Sequence, residues 1–194
     1  PNNSICSRLE YVPVFFFRDK KQFFGIDRMA CQNFFYELGK MFFDEIRKKY
    51  RKARPDLIVF SSMYHGGLMQ AYWAYSCRSH FVGAVAGLPC EIRDPLGEVL
   101  ASNTNYFDYA VATINLDCRL VHLDYNWGRL RKLKAKYGPR VTIKDPGYLG
   151  AVLVTSEHET LGVDQMIEEF EIELLDDYMA RALAHRHAPG NMEP

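Results

Sequence analysis

An α/β fold is what this sequence predicts, and three observations carry the prediction. Leu57-Ile58-Val59-Phe60 and Phe81 to Gly87 are short, continuous apolar runs, as strands buried on both faces require. Helix-period segments lie before, between and after them. Asp94-Pro95-Leu96-Gly97 then has turn chemistry between two strand-like pieces, with Asp at the first position, Pro at the second and Gly at the fourth.

In chain order, residues 1–40 have no regular period. They carry Phe pairs and a Phe triplet around a basic cluster, Arg18, Lys20 and Lys21, and only Val12 to Phe17 reads as a strand. Met41 to Lys52 is a predicted helix. Asp44 and Glu45 come early and Arg47, Lys48, Lys49, Arg51 and Lys52 late, an order that suits the helix dipole. A strand follows from Asp56, entering a loop of hydroxyls, a phenol and an imidazole, Ser61 to Gly67. Ligands of open α/β layers bind beyond the carboxyl ends of strands, so this loop is the expected site.

Leu68 to His80 is a helix with a wide apolar stripe, followed by the strand Phe81 to Gly87. Residues 90–102 form a hairpin, and Tyr109 to Leu116 a further strand. Asp124 is the expected cap of a helix running to Tyr137, with Trp127, Leu130, Leu133 and Tyr137 on its apolar face. Residues 140–163 read as loop-rich around the short run Ala151 to Val154. Asp164 is the expected cap of a short helix, and Leu174 to about His187 forms another. The expected organisation is a region 1–40 of its own, a domain over 41–140 and a C-terminal helical arm over 141–194.

Composition narrows the function. The 24 Lys and Arg balance 24 Asp and Glu, so no global field draws in nucleic acid or anionic lipid, and neither is an expected partner. The apolar runs are too short to span a bilayer. Five scattered cysteines, at 6, 31, 77, 90 and 118, show no zinc-like spacing, so no metal or other cofactor is expected. An odd count fits a reducing, cytoplasmic compartment.

The order of elements then becomes specific. A strand ends in Ser61-Ser62-Met63-Tyr64-His65-Gly66-Gly67, and a helix with Trp73 follows. Next come Phe81-Val82-Gly83-Ala84-Val85, the Asp94 to Ser102 turn and strand, and Tyr109 to Asp117. From about Phe43 to Arg140 this resembles the C-terminal half of the nitrilase, or carbon–nitrogen hydrolase, superfamily. The resemblance implies an α-β-β-α sandwich assembled into homo-oligomers. It also implies hydrolysis of a small amide, carbamoyl or nitrile substrate by a cysteine nucleophile, a glutamate general base and acid, and a lysine that stabilises the tetrahedral intermediate.

The family's nucleophile pattern fits imperfectly. Counting back from Glu45 reaches Leu38, and counting back from Glu37 reaches Ala30, one residue before Cys31. Cys31 is therefore the candidate nucleophile only with a one-residue slip, and the glutamate and lysine are not identifiable. Ser62, Tyr64 and His65 are the candidate substrate-binding residues. The alternative reading is a non-catalytic subunit acting as an oligomerisation or interaction module. A third, an unrelated cysteine hydrolase, would use Cys31 and His65.

Overall fold

Strand β2 (Leu57–Ser62) sends alternate side chains into two different cores. Leu57 and Val59 join one with Val82, Ile92 and Ile114. Ile58 and Phe60 join the other with Trp73, Ala74, Cys77 and Phe81. This is the two-sided burial that its unbroken apolar run predicts. The computed structural model describes residues 11–15, 42–62, 66–85, 89–107 and 109–190. They divide into two compact units, Glu10–Leu116 and a second containing Asp117–Pro194. Both mix helix and sheet.

In the first unit β2 pairs in parallel with β3 (His80–Val85), from Leu57↔His80 to Ser62↔Val85. Strand β4 (Glu91–Arg93) is antiparallel to β3, and β5 (Val99–Ser102) to β4, giving the order β2-β3-β4-β5. Helices α1 (Asp44–Ala53) and α2 (Leu68–Cys77) share the core on one face of this sheet, where Ile46 and Tyr50 meet Trp73 and Phe81. The Tyr50 and Trp73 rings meet edge to face, with centroids 5.3 Å apart. On the other face lie Ala110, Ala112 and Ile114, of or beside β6 (Val111–Asn115). Strand β6 pairs antiparallel with β1 (Tyr11–Phe15), which overlaps the strand expected at Val12 to Phe17. The layers of this unit are therefore helices, a four-stranded sheet, and a two-stranded ladder.

The hairpin turn is built as its sequence requires. Gly97 N–H donates to Asp94 O at 2.9 Å, and Asp94 N–H to Glu98 O at 3.0 Å. Asp94 Oδ1 accepts the N–H groups of Leu96 and Glu98, both at 3.0 Å. Gly97 has φ +85°, a value glycine reaches without strain.

The second unit is an antiparallel sheet in the order β7-β9-β8, with β7 Cys118–His122, β8 Val141–Lys144 and β9 Ala151–Ser156. Helices α3 (Trp127–Tyr137) and α4 (Val163–Glu169) bury Leu130, Leu133, Met166 and Ile167 against Val121, Val152 and Val154. Helix α5 (Leu175–Arg186) buries Leu175.

Three expectations for this unit need correction. Residues 140–163 hold two strands, because the run at Ala151 continues through Thr155 and Ser156, and Val141–Lys144 pairs beside it. Helix α3 starts at Trp127 rather than at Asp124, because Asp124 faces other partners, described below. Asp164 lies in the first turn of α4 instead of capping it. The cap position is Gly162, whose N–H donates to Gln165 Oε1 at 3.0 Å, and the two carboxylate oxygens of Asp117 accept the following Val163 N–H at 3.1 and 3.2 Å.

Candidate functional site

The parallel pair β2–β3 fixes where a site would form in the first unit. Both strands end together, at Ser62 and Val85, and α2 starts close after β2 through Gly66 and Gly67. Both glycines have positive φ, +77° and +49°, and their carbonyls accept Met69 N–H at 2.9 Å and Gln70 N–H at 3.3 Å. The glycine pair thus leads the chain into the first turn of α2.

Of the residues predicted for this site, Ser62 is the last residue of β2, opposite Val85. Tyr64, His65 and Cys31 lie outside the described residues.

The described cysteines Cys77, Cys90 and Cys118 are free and buried. Burial pushes the Cys77 thiol up, against the Ser76 hydroxyl and the nearby Arg47, Arg51 and Arg78 charges. Cys77 Sγ donates to Arg47 O at 3.8 Å, and Cys90 Sγ to Val85 O at 3.3 Å. A protonated, buried thiol is a packing group rather than a nucleophile.

Several buried polar residues support this end of the unit, and sequence reading missed them. Gln70, in the first turn of α2, lies over Gly83 of β3. Asn103 Oδ1 accepts Cys90 N–H at 2.7 Å, and Asn103 N–H donates to Cys90 O at 3.1 Å, closing the open end of the hairpin. At the opposite end, His80 is 4% exposed. Burial lowers its pKa to about 4 against the opposing pull of Asp94 and the Asp56 backbone, so the ring is neutral near pH 7. The missed signal was a polar residue in or beside an apolar run.

No family model matches this chain, and no curated protein does.

The second unit gathers its own polar cluster. His122 of β7 stacks on Tyr178 of α5, with centroids 3.6 Å apart and planes 5° from parallel. Tyr178 OH donates to Asp124 Oδ2 at 3.1 Å, and Asp124 N–H donates to His122 Nδ1 at 3.1 Å. The Asp124 carboxylate raises the Tyr178 pKa. Arg181 grips Glu173 through two bonds of 2.9 Å and lies over the rings of Tyr178 and Tyr125. That hydrogen bonding lowers the Glu173 pKa. Fully buried Asn126 donates to His122 O at 2.9 Å and to Glu173 O at 3.0 Å, and accepts Glu173 N–H at 3.2 Å. Its groups satisfy one another, so the cluster fastens α5 to β7. Among the described residues no group of His, Cys, Asp and Glu could hold a metal ion. Nor is any described helix long and apolar enough to cross a membrane.

Proposed function

We propose that this chain is a member of the nitrilase, or carbon–nitrogen hydrolase, superfamily, acting on a small amide, carbamoyl or nitrile substrate. The observation that carries the reading is the layering of the first unit. Two helices cover one face of a mixed sheet and a second strand ladder covers the other, and the elements follow in the order the resemblance implies. Helix pair, sheet and second β-layer support the reading, because an α-β-β-α sandwich would contain three such layers in succession. The glycine turn into α2 also lies at the carboxyl ends of a parallel strand pair, where such folds bind ligands.

In this reading Cys31 is the nucleophile, and Ser62, Tyr64 and His65 line the substrate site. The thiolate adds to the amide carbonyl carbon, and a general acid protonates the nitrogen so that the C–N bond breaks and ammonia leaves. Water then hydrolyses the thioester to free the acid and the thiol. A nitrile reaches the same thioester after its thioimidate takes up water and loses ammonia. The buried, protonated state of Cys77 favours Cys31 over it. The test is ammonia release from a panel of simple amides, carbamoyl compounds and nitriles by the full chain and by Cys31→Ala. Turnover lost in Cys31→Ala supports the reading. Equal turnover in both, or none in either, counts against it.

A second reading is a non-catalytic subunit that works as an oligomerisation module. Burial of all three described cysteines favours it. A homo-oligomer without turnover, measured by light scattering beside the same panel, is its expected outcome.

A further inference from the structure

We propose that the outer face of α3 is a docking surface for single-stranded nucleic acid. The chain's zero net charge hides a strong segregation. Helix α3 carries Arg129, Arg131, Lys132, Lys134 and Lys136 and no carboxylate, whereas residues 145–180 contain no Lys or Arg. The expectation of no nucleic-acid partner rested on the total charge, and the total does not describe this face.

Three of the five helix cations are engaged within the unit. Arg129 pairs with Glu171, Lys136 with Glu169, and Lys134 Nζ donates to Val141 O at 2.7 Å. Arg131, Lys132 and nearby Arg140 are exposed and have no carboxylate partner among the described residues. Trp127 stands one turn before Arg131 and is 54% exposed, although its helical spacing predicts a buried ring.

An exposed indole beside unpaired cations is the pairing that a single strand uses, with base stacked on ring and phosphate on cation. A membrane surface fits less well. The apolar stripe of α3, Leu130 and Leu133, is already buried in the core, so the helix has no apolar face to insert. An acidic polypeptide would use the cations and leave the indole without a role.

The test is a fluorescence titration of the full chain with oligothymidylate of about twenty nucleotides. The chain has two tryptophans. Trp73 is 3% exposed, so quenching reports Trp127. The expected result is saturable quenching at about 50 mM salt, weakening with a log–log salt slope near −2, as roughly three phosphate contacts to a single strand give. Trp127→Ala loses the quenching and binds about tenfold or more weakly. Arg131→Glu with Lys132→Glu abolishes binding while thermal unfolding stays unchanged. No binding at about 50 mM salt, binding undiminished by Trp127→Ala, or preferential binding to phosphatidylserine vesicles would each overturn the proposal.

Discussion

Gln70 occupies the space where a side chain on residue 83 would stand. A Cβ built on Gly83 lies 1.9 Å from Gln70 Oε1 and 2.8 Å from Gln70 Cδ. The glycine of β3 therefore admits the buried amide of α2 onto the sheet. Gly83→Ala should lower stability by about 1–3 kcal/mol through overpacking. Because the colliding group is one flexible side chain, Gly83→Ala with Gln70→Ala should cost clearly less than the two single losses added together. Urea unfolding of the four proteins measures this.

The turn at Asp94 makes a second prediction. One carboxylate oxygen accepts two backbone N–H groups in a buried setting. Asp94→Ala leaves those donors without it and should cost about 1–3 kcal/mol. Asp94→Asn keeps an acceptor oxygen and should cost less. Equal losses for the two variants, measured by denaturant midpoint, would show that the hydrogen bonds are not the cause.

His80 ties stability to pH. Its folded pKa is near 4, below the ordinary 6.5, so the folded state resists protonation more than the unfolded chain does. The stability it contributes is intact above about pH 6.5 and is lost as pH falls toward 4, by about 3 kcal/mol in all. Other acid-titrating groups add their own slopes, so the informative quantity is the difference between wild type and His80→Gln. The variant should show a flatter decline over this range in urea unfolding at stepped pH.

Asn126 joins β7 to the segment before α5 with three hydrogen bonds and no solvent exposure. Asn126→Ala should cost about 2–3 kcal/mol, since it leaves buried backbone groups without partners. Its effect should fall on α5, read as faster amide exchange over Leu175–Arg186 than over β9.

The strands β2 and β3 were legible because each is an unbroken apolar run, and the hairpin because Asp94, Pro95 and Gly97 occupy the positions a turn demands. The β7-β9-β8 sheet was not. Strand β8 has four residues, and β9 ends in Thr155 and Ser156, whose polarity reads as loop. Ser156 is buried because its hydroxyl donates to Leu161 O at 2.6 Å, a partner that no period in the sequence signals. Trp127 was misread because it is the first residue of α3, ahead of the buried stripe at Leu130 and Leu133. At the candidate site, the strand end at Ser62 and the glycine turn were legible from local chemistry. Gln70 and Asn103 act through tertiary partners and were not.

The central claim is a reactive sulfur at Cys31, set apart from the buried thiols. Competitive alkylation of the native chain with iodoacetamide near pH 7, followed by peptide mass mapping, compares all five cysteines in one experiment. The account predicts fast modification of Cys31, with Cys77, Cys90 and Cys118 labelling only as the protein unfolds. Cys31 reacting no faster than Cys77 would contradict it.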